Sequence, residues 1–138
     1  MFGPISEGMR LFRKGASVAV VGYSENPHRA VLKVTRYLLE EGNKITGINP
    51  NFKGESALGV PIKASLADLE PAGADIIQVF RNSAALPELA EEIISLSWRP
   101  KLVWCQQGVF DLVFQQQMEQ ASLPVVMDAC PYALRSFL

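Results

Sequence analysis

The chain has 138 residues, a net charge of −1, 49% hydrophobic residues and 20% charged residues. That is the size and balance of one ordinary globular domain with a buried core, and it supplies no general pull toward nucleic acid or a membrane surface. With two cysteines and one histidine, neither a disulfide framework nor a zinc site is supported.

No apolar run approaches the ~20 residues that span a bilayer. The opening stretch MFGPISEGMRLFRKG has no long apolar segment and no export-cleavage pattern, which favours a cytoplasmic location. Within it, Ile5, Met9 and Phe12 fall on one face and Arg10, Arg13 and Lys14 on the other. This spacing predicts a short helix over residues 5–14, ended by Gly15. SVAVVG (17–22) reads as a strand buried on both faces, as in a parallel sheet.

After a polar loop, Val31, Val34, Thr35, Leu38 and Leu39 recur at helical spacing, with Gly42 closing the helix. KITGIN (44–49) is a second strand, stopped by Pro50, and a short third strand is expected near VPIK (60–63). Ser65 is placed to cap one helical turn over LADL.

ADIIQVF (74–80) is a fourth strand, followed by a helical stripe of Leu86, Leu89, Ala90, Ile93 and Ile94. KLVWC (101–105) and PVVMD (124–128) are the fifth and sixth strands, with a weaker helical pattern over residues 110–121 between them. The tail PYALRSFL is expected as a last turn packed on the sheet. Short buried strands alternating with helices form parallel βαβ units with right-handed crossovers. The expected fold is therefore α/β, a single Rossmann-like doubly wound open parallel sheet over residues 1–138. Its strand order is 3-2-1-4-5-6, with helices on both faces.

In such sheets ligands bind outside the carboxyl ends of the strands, where the strand order reverses. That rule selects four loops: Tyr23 to Arg29, Asn49 to Lys53, Arg81 to Ser83, and Gln106 to Gly108. The first runs into a helix start, whose free N–H groups and partial positive charge attract phosphate. Arg29, Lys33 and Arg36 lie near it, and Arg81 and Lys53 reach from neighbouring loops. Lys33 and Arg36 read first as a solvated helix face.

The glycine pattern argues against a standard NAD site. Gly22 supplies one tight turn, but Ser24 and Asn26 stand where the second glycine is expected. Asn49-Pro50 replaces the acidic residue that would hold a ribose. A P-loop of the form G-x-x-x-x-G-K-[ST] is absent. His28 has no carboxylate in sequence to orient it and reads as a loop histidine. Asp75 and Asp128 read as caps or rim residues. Cys105 and Cys130 follow neighbouring strands, which brings them within reach of each other, and packing is the reading for both. No nucleophile with an adjacent base is found, which points to a binding module before an enzyme.

Three segments, "VAVVGYSENPHRAVLKVTRYLLEEGNKITGINPNFKGESALGVPIKASLADL", "ADIIQVFRNSAALPELAEE", and "LVWCQQGVFD" with "PVVMDACP", carry a family resemblance. In order and spacing the chain resembles the small stand-alone CoA-binding domain proteins, relatives of the N-terminal CoA-binding domain of the succinyl-CoA synthetase alpha subunit. The resemblance implies a domain that holds coenzyme A or an acyl-CoA at the strand ends. Its implied contacts are Gly22, Tyr23, Ser24, Asn26, Pro27 and Arg29 in the first loop, and Asn49, Pro50 and Lys53 in the second. Val79, Phe80, Arg81, Asn82 and Ser83 follow on the fourth strand, and Gln106, Gln107 and Gly108 after the fifth. Coenzyme A carries a pyrophosphate and a ribose phosphate, which gives the basic loop residues a task.

Many family members read D-R-C after the last strand and then carry a basic tail with a histidine. Here Asp128-Ala129-Cys130 is followed by PYALRSFL, so chemistry through that arginine and histidine is not implied. The synthetase domain acts with further domains, so ligase activity is not implied either. The expected role is a CoA carrier, sensor or regulatory module without its own catalysis. The alternatives are a NAD(P)-binding or acyl-CoA-handling enzyme subunit, working with a partner enzyme, and an assembly domain with a vestigial nucleotide site. For the last, Tyr132, Leu134, Phe137 and Leu138 would form a homo-oligomer interface.

Overall fold

The structure, a computed structural model, describes residues 3–52 and 54–137. Helix α1 (Pro4–Lys14) leads into β1 (Ser17–Val21), α2 (Ala30–Glu40), β2 (Lys44–Ile48) and β3 (Ile62–Lys63). Then come β4 (Ile76–Val79), α3 (Leu86–Ile94), β5 (Leu102–Cys105), α4 (Leu112–Gln120), β6 (Val125–Val126) and α5 (Pro131–Leu134). Two 3-10 turns, Leu66–Leu69 and Ser83–Ala85, precede β4 and α3. All strand pairings are parallel, and the order is β3-β2-β1-β4-β5-β6, as the sequence predicts.

Alternation along the strands divides the core into two. Ala19, Val21, Ile77, Val79, Val103 and Cys105 face α3 and α4, where they meet Leu86, Leu89, Phe114 and Met118. Val18, Val20, Ile76, Leu102 and Trp104 face the other way, onto Met9 and Phe12 of α1 and Val31, Val34 and Leu38 of α2. Strands buried on both faces need unbroken apolar runs, which is why Val and Ile dominate them. The helices are placed by their stripes: Val31, Val34 and Leu38 are all at most 2% exposed.

The junction of α1, β1 and α2 is closed by one buried amide. Asn43 Oδ1 accepts from the Ala16 N–H at 2.8 Å, and its Nδ2 donates to the carbonyls of Phe12 and Leu38. At the same end of the sheet Asp75 accepts from the Ser17 N–H and pairs with Lys101 at 3.5 Å, so it is a cap far from the ligand rim. At the start of the first 3-10 turn, the Asp68 carboxylate accepts from the Ser65 N–H at 3.1 Å.

Two details differ from the sequence reading. Cys105 lies in the α3–α4 core, whereas Cys130 packs against the α1–α2 core, so the sheet separates the two thiols. The tail does not lie flat on the sheet. Tyr132 of α5 stacks edge-on against Tyr37 of α2, with ring centroids 5.5 Å apart. Lys33 and Arg135 both stand over the Tyr132 ring, at 4.3 and 3.7 Å. A strip of α2 beside its basic residues offers an aromatic partner that the edge of a two-residue β6 does not.

Candidate functional site

A groove runs across the carboxyl ends of β2, β1, β4 and β5. It has two lobes, of about 540 and 280 Å³, which share Gly22, Arg29, Phe80, Arg81 and Asn82. The larger lobe is completed by Tyr23, Ser24, Asn26, Ile48, Asn49, Pro50 and Asn51. The smaller is completed by Ala30, Val31, Gln106, Gln107, Gly108 and Val109. The sheet reverses its winding between β1 and β4, and the shared residues sit there.

Gly22 makes the groove possible. Its φ is +83°, and a Cβ there would stand 2.9 Å from the Phe80 carbonyl oxygen. Only glycine combines that backbone angle with so close an approach of the two loops. The chain then folds through two side-chain turns, with Ser24 Oγ accepting from the Asn26 N–H and Asn26 Oδ1 accepting from the His28 N–H. These bonds use acceptor capacity and leave the Ser24 hydroxyl hydrogen and the Asn26 NH2 free to donate. Arg29 is the residue before α2, in extended conformation, and no side chain caps the helix. The first N–H groups of α2 therefore open on the groove beside Ala30 and Val31.

The loop is held from behind by Glu25. Its carboxylate accepts from the Tyr23 hydroxyl at 2.6 Å, the Ser56 hydroxyl at 2.8 Å and the backbone N–H groups of Ala57 and Leu58. Partial desolvation raises the Glu25 pKa, but these four donors outweigh it and carry it down to about 2. Burial first, and then the neighbouring carboxylate, push the Tyr23 phenol up to about 12. The one acidic side chain of the loop is thus saturated and turned away from the groove. Gly47 of β2 makes room for the Tyr23 ring, since a Cβ there would lie 2.7 Å from it.

The other loops are braced in the same way. Asn49 donates to the Tyr23 carbonyl and accepts from the Asn51 N–H, both within 2.9 Å. Asn82 caps the turn after β4 by accepting from the Ala85 N–H. Ser83 Oγ accepts from the Phe110 N–H. Asp128, at φ +56°, accepts from the Gly108 N–H at 2.7 Å and fixes the loop after β5. Arg29 and Arg81 are exposed and form no ion pair among the described residues.

Of the residues expected at the site, thirteen line this groove: Gly22, Tyr23, Ser24, Asn26, Arg29, Asn49, Pro50, Phe80, Arg81, Asn82, Gln106, Gln107 and Gly108. Pro27 is exposed beside it, and Ser83 stands behind it as a brace. Val79 is fully buried in the α3–α4 core. Lys53 lies outside the described residues. Sequence reasoning did not name Ala30, Val31, Ile48, Asn51 and Val109 as site residues, nor the clamp at Glu25. His28 is exposed. Cys105 is fully buried, and burial pushes its thiol up to about 12, which leaves it unreactive. Among the described residues no three His, Cys, Asp or Glu side chains converge on a metal position, and no helix is long and apolar enough to cross a membrane.

A family model described as a CoA binding domain matches residues 16–135, nearly the whole of this architecture. The chain belongs to the CoA-binding domain family. The Bacillus subtilis protein YneT is 31% identical to it over 125 residues, spanning 91% of this chain and 89% of that one. Among solved structures, a Thermus thermophilus protein with 35% identity superposes with a TM-score of 0.83, covering 96% of each chain. A Pyrococcus horikoshii protein with 24% identity and a TM-score of 0.80, covering 99% of this chain and 95% of that one, has the same fold.

Coenzyme A is a fair match for the groove of this CoA-binding domain. The uncapped start of α2, with Arg29 and Arg81 lining the same lobe, could hold the phosphates of such a ligand. The hydroxyls and amides that wall the larger lobe could hydrogen-bond a base and a sugar. In place of the D-R-C signature, Asp128 braces the β5 loop, and Ala129 bonds through its backbone alone, its carbonyl accepting from Trp104 Nε1 at 2.8 Å and its N–H donating to the Cys105 carbonyl.

Proposed function

We propose that the protein holds coenzyme A or an acyl-CoA in this groove and has no chemistry of its own, serving as a carrier, sensor or regulatory module. The observation that carries the reading is the uncapped start of α2, open between Arg29 and Arg81 while Glu25 is tied elsewhere. That arrangement is positive at a point where a pyrophosphate would sit, within a chain of net charge −1. Membership of the CoA-binding domain family supports CoA binding in general. Asn49 at the end of β2, where a carboxylate would grip a nicotinamide dinucleotide's ribose, favours CoA over NAD. Among the described residues the groove pairs no nucleophile with a base, and the fully buried Cys105 faces the α3–α4 core.

Titration calorimetry with CoA, acetyl-CoA, NAD and NADP tests the reading. Binding of the CoA species with little or no heat from NAD and NADP is the expected result. Binding of NADP in preference to CoA, or of none of the four, overturns it. Native mass spectrometry of freshly purified protein is a second check, since a copurified CoA species adds a characteristic mass.

A further inference from the structure

We infer that the groove is built for an acyl-CoA whose chain is apolar and several carbons long, with the chain resting on a lip formed by Phe110, Leu112 and Val113. The inference rests on the CoA reading above and names the class of thioester within it.

The direction of the ligand follows from the fold. In open parallel sheets the ribose of a bound dinucleotide sits at the end of the second strand, and the pyrophosphate lies over the start of the first crossover helix. The nucleotide half then occupies the larger lobe, among Ser24, Asn26, Asn49 and Asn51. Everything beyond the pyrophosphate is led across β4 and β5 into the smaller lobe, which Val109 helps to line.

Polarity changes along that path. The larger lobe is walled by hydroxyls and amides. The residues that line only the smaller one include Ala30, Val31 and Val109, together with Gln106, a residue only 5% exposed. Gln106 Oε1 accepts from Nε2 of the fully buried Gln78 at 3.4 Å. Gln106 Nε2 makes no bond among the described residues and is not sealed off from solvent, so it is left for the groove. A carboxamide there suits the amide-bearing arm that joins the pyrophosphate of CoA to its sulfur. Immediately past Val109 come Phe110, Leu112 and Val113, which are 52%, 56% and 59% exposed. They are three of the six large apolar side chains left exposed among the described residues, and all three fall within four positions at the sulfur end of the path.

The lip is held in place. The Phe110 N–H donates to Ser83 Oγ at 3.0 Å, and Asp111 accepts from the Val113 N–H at 2.9 Å, capping α4. A fixed apolar surface loses little freedom when a chain lies on it, and contiguous exposed apolar groups mark a binding surface more often than scattered ones do.

Calorimetry of the full chain with CoA, acetyl-CoA and octanoyl-CoA tests the lip, alongside the double variant Leu112→Ser/Val113→Ser. Both residues are half exposed in the first turn of α4, where serine is well tolerated. A fully buried methylene adds roughly fourfold to affinity, and a lip covers one side of a chain, so octanoyl-CoA should bind about tenfold more tightly than CoA. In the double variant that ratio should fall to about one. Equal affinities in the unmodified protein, or an undiminished ratio in the variant, overturn the lip. So does a dimer that the variant dissolves while the ratio persists, because the patch would then be a contact between two copies. If no CoA species binds, the CoA reading itself falls and the lip with it, so the two failures are told apart.

Discussion

The Tyr23 hydroxyl donates to the Glu25 carboxylate across 2.6 Å, and that carboxylate also ties down Ser56, Ala57 and Leu58. One side chain thereby joins the loop after β1 to the segment before β3, some thirty residues on. The loop that would receive phosphate is rigid because its own acidic residue is spent on holding it.

Glu25→Gln should therefore loosen the loop without altering the sheet. Charged hydrogen bonds of this kind, discounted for partial exposure, are worth about 1 kcal/mol at neutral pH. The pKa of Glu25 is depressed from 4.5 to about 2, so its contribution is present above the ordinary value and lost as the pH falls from there toward the depressed one. The stability gap between the unmodified protein and the variant should be widest near neutrality and close as the pH falls. Tyr23 has the opposite sign. Its pKa is raised from 10 to about 12, so its contribution is complete below 10 and lost as the pH rises toward 12. Urea unfolding of both proteins across the acid range checks the first point, and a gap that does not change with pH would count against the clamp.

Gly22→Ala should be the most damaging change in the loop. The alanine would have to hold φ +83° and place its Cβ 2.9 Å from the Phe80 carbonyl oxygen. Left-handed strain and overpacking together cost roughly 2–4 kcal/mol, which in a chain of this size lowers the melting temperature by roughly 10 °C. Gly54 also has a positive φ, but a Cβ there meets nothing within 4 Å. Gly54→Ala should therefore cost clearly less, and equal losses at the two sites would mean that the close approach at Gly22 has no weight.

Arg29→Gln and Arg81→Gln should each weaken CoA binding by about tenfold, the value of one charge-assisted contact at an exposed site. The two guanidiniums form no ion pair among the described residues, so neither substitution strands a partner there and stability should hardly move. Each should also flatten the dependence of affinity on salt, because one fewer charge is screened. Calorimetry at low and high ionic strength separates this from a general loss of fold. An unchanged salt slope would mean that the arginines do not face the phosphates.

The strand order is legible because Val- and Ile-rich runs alternate with amphipathic helices, and right-handed crossovers leave few ways to arrange them. The rim follows, since strand ends are marked by Gly22, Asn49-Pro50, Arg81 and Gln106. What the sequence hides is any relationship that depends on one-residue precision or on distant loops. Val79 and Phe80 are neighbours, yet alternation sends Val79 into the α3–α4 core and Phe80 to the groove. Alternation likewise turns Cys105 into the α3–α4 core, while Cys130, at the start of α5 beyond the end of β6, packs against the other core. Glu25 reads as an ordinary loop carboxylate, because its partners at Ser56, Ala57 and Leu58 approach only once the segment before β3 has folded back. The tail carries no periodic pattern that would choose α2 over the sheet, and the choice rests on Tyr37, Lys33 and Arg135 around one ring.

That ring gives a further expectation. Tyr132→Ala removes an edge-on contact with Tyr37 and two cation–π contacts, for a loss of about 1–2 kcal/mol. Tyr132→Phe keeps all three and should be nearly neutral. If Ala and Phe were equally destabilising, the ring would not be what holds α5 to α2.

Gln78 separates stability from binding most sharply. It sits at the centre of the sheet, 0% exposed, with Nε2 given to Gln106 and Oε1 without any partner among the described residues. Turning both amides over keeps the bond and strands Gln78 Nε2 in place of Oε1, so one atom is stranded either way. A buried polar atom left unpaired costs about 1–3 kcal/mol, so a residue kept only for packing would be better as leucine. Gln78→Leu should leave the melting temperature unchanged or raise it. It should also weaken CoA binding several-fold, because Gln106 then loses the contact that fixes its carboxamide beneath the groove. Gln78→Glu would not serve as a control, since it buries a charge. Gln106→Leu does, because it removes the groove-facing amide directly and should weaken binding at least as much. A leucine at position 78 that destabilises the fold and leaves CoA affinity intact would make the pair a structural one.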